Sequence, residues 1–117
     1  MSVLEKATAQ YRDLISGELQ HVLVPEWGEP DKPLKIYYKP AINFLAQGKI
    51  LALFKQDKDS EAVVMSLIIK ALDEDGKHIF NESDMQSLLH DVHPEIVNRI
   101  LSEMSTNIDE AAELKKT

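Results

Sequence analysis

The sequence contains no cysteine among its 117 residues. This absence excludes a disulfide framework, a thiolate nucleophile and a zinc–thiolate site, and it fits a reducing compartment. No run of eighteen apolar residues occurs, so we expect no membrane span. The first residues, MSVLEKATAQYRDL, lack a basic segment followed by an apolar stretch, so we expect no signal peptide.

Basic residues and glycines are also scarce. Thirteen lysines and arginines stand against twenty acidic residues, which gives a net charge of −7. Because that charge repels nucleic-acid phosphate and the lysines form no cluster, we expect no direct binding of nucleic acid. The four glycines form neither a phosphate-binding loop nor a dinucleotide-binding motif, and no serine lies in a glycine elbow. Nothing in these patterns indicates an enzyme.

The most informative stretch is residues 60–104, which contains three successive helix patterns. Residues 62–72 are apolar around most of a helix circumference, so we expect this helix to be the most buried element. Ser60 is its expected N-cap. After a polar turn, further helices are expected to begin at Asn81 and at Pro94.

The segments before this stretch change from a helical to a strand pattern. Residues 1–15 predict an amphipathic helix, capped by Ser2 and ended by a left-handed Gly17. Apolar and β-branched residues over 19–39 flank a glycine- and proline-rich segment at residues 26–33. This arrangement predicts a β-hairpin with a long loop.

Prolines mark two further boundaries. Pro25 is expected to end the first strand, and Pro40 is expected to begin a second amphipathic helix over residues 40–56. Gly48 lies inside that helix, where it predicts a kink or a close helix contact. After the last long helix, a separate short helix or tail is expected over residues 107–117.

Together these patterns predict a mainly α fold, a single small helical domain over residues 1–117 with a short N-terminal β-hairpin. The helical core is expected over residues 40–104. An α+β architecture is the alternative fold class.

The acidic turn after the buried helix resembles part of an EF-hand loop. When Gly76 is aligned with the glycine of such a loop, Asp73, Asp75 and Glu82 fall on ligand positions. The first ligand position is Ala71, so we favour a turn in which Asp73 accepts backbone hydrogen bonds and Gly76 has a positive φ. We therefore expect no bound metal or cofactor. A calcium- or metal-responsive regulatory module built on this turn is the alternative function.

Aromatic residues are the best candidates for a partner-binding surface. Neighbouring strand residues point to opposite faces, so one tyrosine of the adjacent pair faces away from the core, and an outward Tyr37 is consistent with a protein–protein surface. The candidates are Trp27, Tyr37, Tyr38, Phe44 and Phe54. For Trp27 a second interpretation stays open, in which the indole fills the end of the hairpin.

Several segments, in order, resemble the tail assembly chaperones of long-tailed bacteriophages. In that family a valine-proline-glutamate-tryptophan segment, here residues 24–27, lies near the N-terminus. A DEDGK-x-x-F-[NT]-x-x-D segment follows, here residues 73–84, and then a helix that begins near a proline, here Pro94. The resemblance covers residues 19–104.

The resemblance implies a non-enzymatic protein of virion morphogenesis, present in the host cell cytoplasm and absent from the mature virion. Members self-associate into rings or spirals, bind the tape measure protein and help recruit tail tube subunits. Many are made in two lengths by ribosomal frameshifting, and the two lysines before Thr117 are compatible with slippery codons. No catalytic residue is implied. Pro25 and Trp27 would shape the hairpin loop, and Gly76 and Phe80 would close the turn between helices.

Overall fold

The protein is mainly α with one two-stranded antiparallel hairpin, which confirms the predicted fold class. A computed structural model describes the backbone of residues 2–116 and the side chains of residues 2–105. In chain order the elements are α1 (Val3–Ile15), β1 (Gln20–Glu29), β2 (Lys32–Tyr38), α2 (Phe44–Lys55), α3 (Asp59–Lys70), a 3₁₀ turn (Glu82–Asp84), α4 (Met85–His90) and α5 (Pro94–Lys116). The core lies where the hairpin, α3, α4 and α5 meet.

Helix α1 begins where predicted. The Oγ of Ser2 accepts a hydrogen bond from the amide of Glu5 at 3.1 Å, which satisfies one of the unpaired N–H groups of the first turn. The helix ends at Ile15, as predicted, but the left-handed conformation predicted for Gly17 is wrong, because Gly17 does not have a positive φ. Instead, the amide of Ser16 bonds to the carbonyl of Arg12 and closes the last turn in the right-handed conformation. No residue of α1 is buried, so this helix lies at the edge of the fold.

The hairpin lies within the predicted residues 19–39, but its strands are longer and its turn is tighter than predicted. Strand β1 continues through Pro25 to Glu29. Because β2 starts at Lys32, a two-residue turn replaces the long loop expected over residues 26–33. The strand pairing is irregular between Val24 and Glu29, and a proline is tolerated at such an irregularity because no ladder hydrogen bond is lost. The prediction that Pro25 ends the strand is therefore wrong.

Helix α2 begins at Phe44, so the start predicted at Pro40 is wrong. The Oδ1 of Asn43 accepts a hydrogen bond from the amide of Ala46 at 2.9 Å, and this side-chain cap fixes the start of the helix. Gly48 lies within α2. No atom outside the helix backbone comes within 4 Å of the place where a Cβ would stand, so Gly48 is not a point of close helix contact.

Helix α3 is the central element, as predicted. It packs against α2, α4 and α5, and its buried side chains are Ala62, Val64, Leu67 and Ile68. The cap predicted at Ser60 is wrong, because the helix has already begun at Asp59 and the N-cap Lys58 makes no side-chain capping bond. Acidic residues in the first turn lie near the positive end of the helix dipole instead.

The chain leaves the helix after Lys70, and Leu72 joins the sheet. The amide of Leu72 donates to the carbonyl of Tyr37 at 2.8 Å, and its own carbonyl accepts from the amide of Tyr37 at 2.9 Å. Leu72 also pairs with His78. These backbone bonds attach the hairpin to the end of α3, so the hairpin and the helical core form one packed unit.

The predicted starts at Asn81 and Pro94 are both confirmed. Asn81 precedes the 3₁₀ turn and forms a capping box with Asp84. The carboxylate of Asp84 accepts a hydrogen bond from the backbone amide of Asn81 at 2.9 Å. Helix α5 begins at Pro94 and continues to Lys116 without a break. The separate helix predicted over residues 107–117 is wrong, because no glycine or proline interrupts the helical pattern after the core. The side chains of this segment lie outside the described residues.

Candidate interaction surfaces

The described side chains include neither a buried charged cluster nor a group of metal ligands. Within residues 2–105, no polar or charged side chain is buried. The same part of the chain has no group of three or more histidine, aspartate or glutamate residues that could hold a metal ion. No helix of the described residues has both the length and the apolarity needed to cross a membrane. The surface is distinguished instead by large apolar side chains that face solvent.

The acidic turn is closed by hydrogen bonds from its own backbone amides to the side chain of Asp73, as predicted. The Oδ1 of Asp73 accepts hydrogen bonds from the amides of Asp75 and Lys77, each at 2.9 Å. Gly76 has a φ of 81°, which a residue with a side chain rarely adopts. Glu82, which the EF-hand alignment would make a ligand, instead forms an ion pair with Lys49 at 3.2 Å. The carboxylates of Asp73 and Glu82 are therefore engaged within the protein, the first in closing the turn and the second in the ion pair with Lys49.

The five predicted partner-binding aromatics are placed in different environments. Tyr38 is 1% exposed and belongs to the core, so its prediction as an accessible contact is wrong. Its neighbour Tyr37 faces the other side of the hairpin, is half-buried, and has its ring centroid 5.6 Å from that of His21. Phe44 and Phe54 are both exposed. A binding role for the accessible residues stays a prediction.

Trp27 covers one end of the core. Its indole is half-buried and meets the ring of Phe80 edge-on, with 6.4 Å between the centroids. The two sequence segments that carry the family resemblance, one with Trp27 and one with Phe80, are thus in contact. This placement agrees with the interpretation in which Trp27 fills space beside the hairpin.

Four strongly exposed apolar side chains lie on α1 and at the start of α2. Val3, Leu4, Phe44 and Leu45 are 82%, 72%, 91% and 78% exposed; we call these four residues the arm patch. Phe44 also borders a cleft of about 600 Å³ between α1 and α2. Its apolar lining comes from Ala7, Tyr11, Ile15, Ile42 and Phe44.

The sequence predictions included Phe44 but missed the other three residues of the arm patch. A signal for Leu45 exists in α2, FLAQGKILALFK, which has apolar residues on several sides and yet buries only Ile50. Because α3 covers one side of α2, the remaining apolar residues stay exposed. Leu51 and Phe54 are exposed for the same reason.

A second apolar surface is concave. The first turns of α3, together with α4 and the start of α5, enclose an open groove of about 390 Å³, which we call the α4 groove. Its apolar lining consists of Val63, Val64, Leu88, Leu89, Val92, Pro94 and Val97. Asp59, Ser60 and Asn98 add polar groups. An apolar floor with a few polar groups is typical of a site that receives a hydrophobic side chain or a helix face.

Charge is distributed unevenly between the two halves of the chain. Residues 1–58 contain eight basic and seven acidic residues, whereas residues 59–117 contain five basic and thirteen acidic residues. Helix α2 has two lysines and no acidic residue, and the lining of the α4 groove has Asp59 and no lysine or arginine. The arm patch is therefore in the nearly neutral half, and the groove is in the acidic half.

One ion pair joins the hairpin to α5. The guanidinium of Arg99 holds the carboxylate of Glu26 through two hydrogen bonds, and the one from Nη2 to Oε1 is 2.9 Å long. The hydrogen bond from Arg99 lowers the pKa of Glu26 to about 2. Because both side chains are partly exposed, the pair fixes the relative position of the two elements more than it adds stability.

This arrangement of helices and hairpin is shared with a solved phage protein. The chain matches the structure of the bacteriophage HK97 tail assembly chaperone with a TM-score of 0.57 and 18% sequence identity. The match covers 86% of this chain and 91% of that one. No protein-family model matches the sequence, and no curated protein matches it. The likeness shows that the chain has the fold of a phage tail assembly chaperone, as the resemblance in the sequence implies.

Proposed function

We propose that this protein is a non-enzymatic tail assembly chaperone of a long-tailed phage, which self-associates, binds the tape measure protein and helps recruit tail tube subunits. The observation that carries the proposal is the fold shared with the HK97 tail assembly chaperone over most of both chains. The ordered segments at residues 24–27 and 73–84 support the same assignment, because they rest on the sequence and not on the fold.

The surface chemistry supports a role in holding other proteins. The arm patch exposes large apolar side chains, and the α4 groove has an apolar lining in which Val63, Leu89 and Val92 are partly exposed. Such surfaces bind amphipathic helices by burying one helix face. The net charge of −7 helps to keep a protein with so much exposed apolar surface soluble, because like charges repel.

The place of action follows from the same proposal. A tail assembly chaperone works in the host cell cytoplasm and is absent from the mature virion, and the lack of cysteine fits a reducing compartment. A longer frameshifted form would require a slippery heptamer at the codons of Lys115 and Lys116. Mass spectrometry of the expressed gene region tests for the longer product.

Co-expression with the tape measure protein of the same phage tests the proposed function. We expect a larger soluble fraction of the tape measure protein, and we expect the two proteins to purify together. Co-expression of an unrelated acidic protein of similar size is the control. If this protein leaves the solubility of the tape measure protein at the control level, the proposed function is wrong.

A further inference from the structure

We infer that the outer edge of β1, at His21 and Leu23, binds an extended strand of another protein through its backbone. The sheet has two strands, so β1 has β2 on one side and, among the described residues, no strand on the other. On the outer side of β2, Tyr37 already exchanges two backbone hydrogen bonds with Leu72. The free edge of the hairpin is therefore the edge of β1.

The register of the hairpin determines which backbone groups of β1 point outward. Tyr37 directs its N–H and C=O groups to Leu72, so it makes no ladder bond with its partner His21. Such positions alternate with hydrogen-bonded ones in an antiparallel pair, and the next is Leu23 opposite Lys35. His21 and Leu23 therefore point their N–H and C=O groups away from β2. Outside the strand ladder, no backbone hydrogen bond to these groups occurs in the part of the chain that the structure describes.

This edge lacks the features that usually keep an edge strand from pairing with another chain. Natural sheets use lysines, prolines and bulges for this purpose. Strand β1, QHVLVPEWGE, has no lysine or arginine, and its proline and its irregular pairing come after Val24. Residues 20–24 therefore form a regular edge without a carboxylate or a basic guard. His21 and Leu23 are exposed, Leu23 at 47%, so a partner can reach the edge from the solvent side.

The groups on this edge state which partner fits. Its N–H and C=O groups alternate with partial charges of opposite sign, and an extended backbone presents the complementary series, whereas a helix bonds its backbone groups internally. The rings of His21 and Tyr37 and the side chain of Leu23 occupy the solvent face beside the edge. The added strand should therefore point apolar or aromatic side chains to this face. Glu18 is exposed just before β1 and forms no ion pair among the described side chains, which favours a basic residue at one end of that strand.

Hydrogen exchange of the full-length protein, followed residue by residue by NMR, tests this edge with a synthetic strand. The probe is an acetylated and amidated nonapeptide in which valine and threonine alternate between terminal lysines. N-methyl groups on every second residue block one edge of the probe and limit its own aggregation. The control peptide has N-methyl groups on consecutive residues, which block both of its edges.

A variant of the protein removes the donor from the other side of the contact. Leu23→Pro deletes an outward N–H and no ladder bond, because Leu23 points its N–H away from β2. His21→Pro makes the same change at the second outward position, in case Leu23→Pro does not fold. The circular dichroism spectrum and Tm show which variant keeps the wild-type fold.

We expect amide exchange in the free protein to alternate along β1. The amides of Val22 and Val24 point to β2 and should be protected, whereas those of His21 and Leu23 should exchange at nearly the rate of an unfolded chain. The probe, at about ten times its Kd, should slow exchange at His21 and Leu23 about tenfold, because only the unbound fraction exchanges. The control peptide should have no effect, and the folded proline variant should not bind the probe.

Several results would overturn the inference. One is a probe that does not bind, or whose contacts map to the α4 groove. Equal binding of the control peptide, or undiminished binding to the folded proline variant, shows that the backbone edge is not used. Protection of His21 and Leu23 in the free protein also overturns the inference. The chain covers its own edge if that protection is independent of protein concentration, and a second copy fills the edge if protection rises with concentration.

This inference goes beyond the proposed function, because holding a helix face on an apolar surface needs no free backbone group. The two are tested with different partners, a synthetic strand here and the tape measure protein in the co-expression experiment. If the probe fails to bind and the tape measure protein becomes soluble, only the edge contact is wrong. If the probe binds and the tape measure protein stays insoluble, only the proposed function is wrong.

Discussion

Replacing Gly28 with alanine should destabilise the protein, because the two strands of the hairpin approach too closely there for a side chain. A Cβ on Gly28 would lie 2.5 Å from the amide nitrogen of Leu34 and 2.6 Å from the carbonyl oxygen of Lys32. Both are backbone atoms, so the strands must separate near their turn. Overpacking of this kind costs about 1–3 kcal/mol. For a domain of this size, that cost lowers Tm by about 3–15 °C.

Thermal and urea unfolding, followed by far-ultraviolet circular dichroism, measure this change. Gly48→Ala is the matched control, because a Cβ there meets no atom within 4 Å. Since glycine disfavours a helix interior, we expect this control to gain about 0.5–1 kcal/mol of stability. The reasoning about close approach is refuted if Gly28→Ala stays within about 0.5 kcal/mol of the wild type. It is also refuted if both substitutions change stability by the same amount in the same direction.

Three further substitutions or additions test other parts of the structure. Glu26→Gln breaks the ion pair with Arg99. The pKa of Glu26 is about 2 in the folded protein, against an ordinary value of 4.5. The Tm of the wild type should therefore exceed that of Glu26→Gln at neutral pH, and the difference should disappear as the pH falls from 4.5 towards 2. A pH-independent difference contradicts this. Leu67→Ala, at a fully buried position of α3, should cost about 2–5 kcal/mol in urea unfolding; a loss below about 1 kcal/mol contradicts its central place. Calcium should leave the fluorescence of Trp27 unchanged, because the carboxylate of Asp73 already accepts hydrogen bonds from two backbone amides. A saturable response at micromolar calcium would restore the calcium-responsive alternative.

Element boundaries were predictable where the signal and its partner are close in sequence. Ser2 and Asn81 cap residues within the next three positions, and Pro94 needs no partner at all. Pro25 is different, because the irregular pairing that tolerates it is set by the opposite strand. Two local signals for the start of α2 compete, the proline at residue 40 and the side-chain cap of Asn43. The cap decides where the helix starts.

The candidate surfaces were less predictable than the fold. The alternation of Leu34, Ile36 and Tyr38 with Lys35, Tyr37 and Lys39 predicts an outward Tyr37, and the burial of Ile36 and Tyr38 agrees with it. The α4 groove has no sequence signal, because it arises only when three separate helices pack side by side.

The core and the exposed apolar surface are formed by different elements of this protein. Helix α1 buries no residue and α2 buries only Ile50, whereas the hairpin, α3 and α5 supply the fully buried side chains, which include Tyr38, Leu67 and Ile100. Substitutions in the arm patch remove no core contact, so they should leave Tm at the wild-type value. An isolated copy gains no stability from the exposed ring of Phe44, and exposed apolar patches promote association.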